Sequence, residues 1–178
     1  FWPGPLTLVA KIKNKSISNL ICSKANTIAI RVPSDEIFLN VLNHLDFPLA
    51  APSANRFGKI TPTNALDVKD ELNGKIKAIL DGGNSQIGLE STVVDVSTKK
   101  TSILRLGGIE ERNIKKVLKI NIKDNSQHSK SPGLSKYHYQ PNTPLKINVS
   151  KPKKSEAFLA FGELPKNFSG PALSLSKN

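Results

Sequence analysis

Short β-branched runs and stretches of helical spacing alternate along the chain. Residues 6–12 (LTLVAKI) predict a strand, and residues 27–32 (TIAIRV), which alternate apolar with polar, predict another that Pro33 stops. Ser34 then predicts an N-cap, with Asp35 and Glu36 favourable to the helix dipole. Ile37, Val41, Leu42 and Leu45 give that helix one apolar face. Residues 49–52 predict a short apolar strand running into a polar turn at 53–58. Thr61-Pro62 predicts an N-cap and first helical position, and Ala65, Val68 and Leu72 recur with helical spacing until Asn73-Gly74.

Residues 78–80 predict a strand closed by Asp81-Gly82-Gly83. Residues 91–96 (STVVDV) and 102–106 (SILRL) predict two more around a Lys99-Lys100 turn, and 109–118 a short helix. Strands alternating with helices, together with hairpin-like neighbours, imply an α/β domain with a mixed sheet, ending near Lys123. Composition then shifts to Lys, Ser, Asn, His and Pro, which predicts a linker over 124–147. From 148 to 178 a second α/β-type segment begins, with strands predicted at 157–161 and 172–175.

Composition changes this picture little. The chain has 178 residues, 38% hydrophobic and 22% charged, as in ordinary globular proteins. No apolar stretch approaches the roughly 20 residues that span a bilayer. One cysteine, Cys22, allows no intrachain disulfide and fits a reducing compartment. The chain contains no Met, opens inside an apolar run at Phe1-Trp2-Pro3 and stops just after another, so we expect further sequence on both sides. The net charge of +12 invites a nucleic-acid reading. However, only Arg31, Arg56, Arg105 and Arg112 are arginine, the residue favoured for bidentate phosphate and base contacts. The lysine excess therefore reads as bulk composition.

The three histidines, His44, His128 and His138, are far apart, and no zinc, serine-hydrolase or Walker A motif is present. Three small-residue segments remain. The first, residues 50–58 (AAPSANRFG), allows close backbone approach and supplies hydroxyl and amide groups before a helix start. It fits a ligand loop or a plain capped connection equally. The second, residues 80–95, joins Asp81-Gly82-Gly83 to Gly88-Leu89-Glu90-Ser91-Thr92. It fits a Gly-rich hairpin or a ligand-contacting bend. The third is Arg105 in an apolar strand, with Arg31 posing the same question. Each needs an anionic partner, either a ligand or a protein carboxylate such as Asp35, Asp81 or Asp95.

Taken in order, these segments resemble the YrdC-like family. They are Phe1-Trp2-Pro3-Gly4-Pro5-Leu6-Thr7, Arg31-Val32-Pro33, Ala51-Pro52-Ser53-Ala54-Asn55 with Gly58 and Pro62-Thr63, Leu80-Asp81-Gly82-Gly83, residues 88–95 and Ile103-Leu104-Arg105. Residues 131–141 (SPGLSKYHYQP) are similar to a linker segment of the family's two-domain threonylcarbamoyl-AMP synthase branch, although here Tyr137 directly precedes His138.

The resemblance implies a twisted mixed parallel/antiparallel sheet with flanking helices over 1–123. A linker over 124–147 and the start of a Rossmann-like domain over 148–178 would follow. The family's early segment, with its basic phosphate-binding residues, is not in this sequence, so the chain is expected to be catalytically incomplete. The implied reaction joins L-threonine, bicarbonate and ATP into threonylcarbamoyl-adenylate and releases pyrophosphate, with Mg²⁺ on the phosphates. The product would pass to the tRNA threonylcarbamoyl-transfer machinery in the cytoplasm.

Carried across residue by residue, Arg31, Ala51 and Ser91 would hold threonine. Thr27, Ser53, Asn55, Thr61, Arg105, Tyr137, His138 and Tyr139 would line the ATP side. No protein metal ligand and no catalytic side chain are assigned, because such transfers depend on positioning and charge. The alternative is a double-stranded RNA- or tRNA-binding module without catalysis. Aromatic residues are only 6% of the chain and are not interleaved with basic ones, which argues against a stacking platform and leaves weak RNA binding at most. A related carbamoyl-transfer domain of hydrogenase maturation is disfavoured by the linker segment.

Overall fold

A computed structural model describes residues 1–13, 21–22, 26–119, 141 and 143–176. The chain forms two compact units, Phe1–Gln140 and Pro141–Asn178.

In the first unit, β1 (Leu6–Lys11), β2 (Thr27–Ile30), β3 (Thr92–Asp95) and β4 (Ser102–Arg105) build one sheet in the order β2-β1-β3-β4. The β1/β2 and β3/β4 pairs are antiparallel, whereas β1 and β3 run parallel. The sheet is therefore mixed, as the sequence predicts. The crossover from β1 to β3 carries β2 and two helices, α1 (Glu36–Asn43) and α2 (Ala65–Leu72). A third helix, α3 (Glu111–Leu118), follows β4.

Register decides which residues share a face. Leu6 pairs with Thr92, Leu8 with Val94 and Ile30, and Val94 with Ile103. These side chains lie on one face, where Leu6, Val94 and Ile103 pack with Ile109 and with Ile114 of α3, flanked by Leu8 and Leu118. Thr7, Val9, Ala29, Val93 and Asp95 alternate onto the other face.

One irregularity changes the count. The β3/β4 register shifts between Val93 and Val94, so that Val93 opposes Arg105 while Val94 opposes Ile103. Leu104 is the extra residue of a β-bulge. In a regular strand Ile103 and Arg105, two apart, would share a face. The bulge puts Ile103 in the core and turns Arg105 to the opposite side.

Thr92 is wholly buried beneath this core. Its hydroxyl donates to the Ile109 carbonyl at 2.6 Å and accepts from the backbone N–H groups of Gly107 and Ile109, both at 3.0 Å. One side chain thus ties β3 to the approach of α3. Gly107 is required at that approach, because a Cβ there would lie 2.2 Å from the Glu90 carbonyl oxygen.

Several predicted boundaries are corrected. Residues 49–52 and 78–80 are not strands. Neither run finds a neighbour to pair with, and Leu49 and Leu80 are exposed. The cap of α1 is Asp35, whose carboxylate accepts from the Phe38 N–H at 2.7 Å, and not Ser34. The cap of α2 is Asn64, accepting from the Asp67 N–H at 2.9 Å, and not Thr61. The Thr61 hydroxyl goes instead to the Glu90 carboxylate at 2.8 Å. α3 begins two residues after Ile109, whose backbone N–H and carbonyl are both engaged by Thr92.

The second unit pairs β5 (Phe158–Ala160) with β6 (Ala172–Ser174) in parallel. Phe158 and Phe168 meet edge to face at 5.8 Å, fixing the connection between the strands. The predicted linker falls largely outside the described residues.

Candidate functional site

Of the polar residues that the sequence singled out, the sheet face opposite α3 brings together Thr27, Arg31, Ser91 and Arg105. Thr7 and Ser91 share a hydrogen bond at 2.6 Å between their hydroxyls. Ser91 is only 6% exposed. The Arg105 guanidinium wraps the same residue. Its Nε and Nη2 donate to the Ser91 carbonyl at 3.2 and 3.0 Å, and Nη2 donates to the Ser91 hydroxyl at 3.3 Å. The bulge at Leu104 makes this contact possible.

Arg31 lies one residue beyond β2, with the parity of Thr27 and Ala29. Its Nε donates to the Gly4 carbonyl at 3.0 Å, and the Gly4 N–H donates to the Val32 carbonyl at 2.8 Å. The opening segment is thereby laid against the end of β2. Gly4 must be glycine, since a Cβ would stand 2.6 Å from the Phe1 carbonyl oxygen.

The expected alternative, a protein carboxylate on Arg31, is not found among the described residues. Asp35 caps α1, Asp81 accepts from the Gly83 N–H at 2.9 Å, and Asp95 accepts from the Ser97 N–H at 2.8 Å. Partial burial, and then the positive charge of Arg105, hold the Arg31 guanidinium below its ordinary pKa. It remains a cation at neutral pH. Two guanidinium groups that repel one another beside two hydroxyls form a site that an anion would relieve.

Thr27 pairs with Lys11 at the start of β2, on this same face. Thr61 and Glu90 bind the two small-residue loops together, helped by the Ser85 N–H donating to the Thr63 carbonyl at 2.7 Å. Ala51 and Ser53 lie exposed on the 49–59 loop, and no described contact joins them to Arg31 or Arg105. Asn55 folds that loop, its Nδ2 donating to the Arg56 carbonyl at 2.9 Å and to the Lys59 carbonyl at 3.1 Å. Asn55 Oδ1 is buried without a partner. Tyr137, His138 and Tyr139 lie outside the described residues. Among the described residues no group of three or more His, Cys, Asp or Glu could hold a metal.

Sequence reasoning missed Thr7 and Gly4 as individual site residues, and it assigned Ser91 to the site while giving its neighbour Thr92 no role. The alternation of a strand carries the signal that separates them. Adjacent residues face opposite ways, so Ser91 enters the site while Thr92 enters the core.

Comparison with known proteins places these features in a wider set. The family model Sua5_yciO_yrdC, described as "Telomere recombination", matches residues 1–107. The chain is 40% identical over 159 residues to the threonylcarbamoyl-AMP synthase of Pyrococcus abyssi and 37% identical over 159 residues to that of Bacillus subtilis. Each match covers 86% of this chain and 46% of the relative. Among solved structures, P. abyssi Sua5 complexed with L-threonine superposes with a TM-score of 0.71 at 36% identity, over 92% of this chain and 46% of that one. E. coli YciO superposes with a TM-score of 0.53 at 27% identity, over 59% of this chain and 51% of that one. The chain spans about half the length of the curated relatives it matches.

Proposed function

The chain belongs to the Sua5/YciO/YrdC family, and from that premise we propose that the protein makes L-threonylcarbamoyl-adenylate from L-threonine, bicarbonate and ATP. The observation that carries this reading is the pair Arg31 and Arg105 on one sheet face, with the Thr7–Ser91 hydroxyl pair beside them. The likeness to a relative described with L-threonine bound supports an amino-acid carboxylate as the anion.

On this reading Arg31 meets the threonine carboxylate through a charge-assisted contact, helped by the Ser91 hydroxyl and by the backbone at Ala51. The threonine amine captures bicarbonate as a carbamate with loss of water. A carbamate oxygen then attacks the α-phosphorus of ATP, and pyrophosphate leaves with the electrons of the broken P–O bond. Arg105 faces the accumulating negative charge on the nucleotide side. Thr27, Ser53, Asn55 and Thr61, with residues 137–139, are assigned to nucleotide binding. Mg²⁺ enters as the counter-ion of the ATP phosphates, and we assign it no protein ligand. No nucleophilic side chain is required, because the chemistry is positioning and charge stabilisation.

The product is a mixed anhydride suited to acylating tRNA through the downstream threonylcarbamoyl-transfer machinery, and on this reading the protein works in the cytoplasm. No described helix is long and apolar enough to cross a membrane. The test is pyrophosphate release by the full-length gene product, with each substrate omitted in turn. Release should need threonine, bicarbonate and ATP together. Equal release without threonine would sink the assignment.

A further inference from the structure

Glu71 lies in the last turn of α2, outside the site just described, yet it touches the loop that carries Ser53 and Asn55. Its Oε1 accepts from the Arg56 Nε at 2.7 Å and from the Arg56 backbone N–H at 3.3 Å. Its Oε2 accepts from Arg56 Nη2 at 3.4 Å. The Arg56 backbone continues the contacts inward. Its carbonyl accepts from Asn55 Nδ2 at 2.9 Å and from the Lys59 N–H at 3.0 Å, while Nδ2 also donates to the Lys59 carbonyl at 3.1 Å.

Both Nδ2 hydrogens of Asn55 are therefore spent on backbone carbonyls. Rotating the amide by half a turn would set its oxygen against those two carbonyls, so the orientation is fixed by the loop itself. What Asn55 has left is Oδ1, buried and unpartnered. That atom can only accept. Closed off from solvent, it meets no ligand in this form of the loop, and the uncharged polar residue that the loop exposes is Ser53.

We propose that Glu71 is a positioning residue for nucleotide binding: through Arg56, and with Asn55, it holds the 53–59 loop in the form that leaves Ser53 exposed to the nucleotide. The proposal rests on the nucleotide reading above. The side-chain ion pair is 53% exposed on Arg56 and 23% on Glu71. An isolated surface pair of that kind contributes little. The added backbone contact gives this one a conformational role.

Two measurements on the full-length gene product test it. The first is hydrogen exchange without ligand. Glu71→Ala should speed exchange in peptides covering 53–60 by roughly tenfold, while the strand 92–95 keeps its protection. Glu71→Gln, which keeps an acceptor for the Arg56 amide, should fall between. The second is affinity for an ATP analogue with a methylene bridge between the α- and β-phosphorus. Glu71→Ala should weaken it about 3- to 10-fold, with threonine affinity within about twofold of wild type.

Unchanged exchange overturns the proposal. So does faster exchange with nucleotide affinity unaltered, or with both ligands weakened alike beside a lower melting temperature. Wild-type protein that binds no nucleotide sinks the functional reading itself. Wild-type protein that binds it while Glu71→Ala binds equally well sinks only the clamp.

Discussion

Replacing Thr92 by Val keeps the shape of the side chain and removes one hydroxyl, and it should cost more stability than any polar substitution at the site. The residue has no exposed surface, and its oxygen serves three backbone groups: the Ile109 carbonyl at 2.6 Å and the Gly107 and Ile109 N–H groups at 3.0 Å. Leaving a buried polar group unsatisfied costs about 1–3 kcal/mol. Three groups would give roughly 3–9 kcal/mol if nothing moved. Two of them belong to Ile109 and shift together, and the new methyl group returns about 0.8 kcal/mol. We expect a net loss of about 3–5 kcal/mol, a large part of a typical folding free energy of about 5–15 kcal/mol.

Urea unfolding followed by far-UV circular dichroism reads this directly. With a slope of about 2 kcal/mol/M, the midpoint of the full-length gene product should fall by roughly 2 M. Thr92→Ser is the control. It keeps the hydroxyl and loses a methyl group, so it should cost only about 1 kcal/mol. If Thr92→Val unfolded within about 1 kcal/mol of wild type, or if Ser were worse than Val, the hydroxyl would not be the tie between β3 and α3.

Arg31→Ala should lower kcat/KM for threonine about 10- to 100-fold, the value of a hydrogen bond to a charged group, with ATP-analogue affinity changed only a few fold. Isothermal titration with each ligand separates this from a general loss of structure, which would weaken both alike. Deleting Leu104 removes the bulge but leaves Arg105 beside Ile103 and still opposite Val93, on the site face. Nucleotide affinity should therefore stay within a few fold of wild type while circular dichroism stays native, and a loss of about tenfold or more would mean that pairing with Val93 is not what aims Arg105. Arg56 holds the Glu71 carboxyl below its ordinary pKa, so this contact is fully present above the ordinary value and is lost as pH falls through the depressed one. Hydrogen exchange in the 53–60 segment, corrected for its intrinsic pH dependence, should therefore quicken at strongly acid pH and not between pH 6 and 8. Binding to double-stranded RNA should be weak, unselective and steeply salt-dependent. Tight, sequence-selective binding at physiological salt would favour an RNA-binding module instead.

β1 to β4 were legible because each combines β-branched residues with a defined stop, whereas β5 and β6 carry none and read only as short apolar runs. The strand predicted from residue 27 ends before Arg31, and the one predicted from residue 91 begins at Thr92. Residues 49–52 and 78–80 are likewise short and apolar with a defined stop and form no strand, since a strand exists only where a neighbour supplies the ladder. Helix caps were off by one to three residues. Asp35 and Asn64 outcompete Ser34 and Thr61, and Thr61 has a better partner in Glu90, which is distant in sequence.

The candidate site divides in the same way. The sequence by itself determined which residues have chemistry to offer: two arginines in apolar strands, a loop of small residues and a Gly-rich bend before Ser91-Thr92. It also determined, through the two-residue period of a strand, that Ser91 and Thr92 must part. Tertiary structure alone decided that Arg105 faces Ser91 and Thr7, because a one-residue bulge at Leu104 reverses the parity that the sequence implies. It alone decided that Arg31 lies near Arg105 and pairs with no described carboxylate, and that Glu71 reaches back to Arg56. Those facts depend on pairing register and on approach between residues far apart in the chain, and neither is written in local propensity.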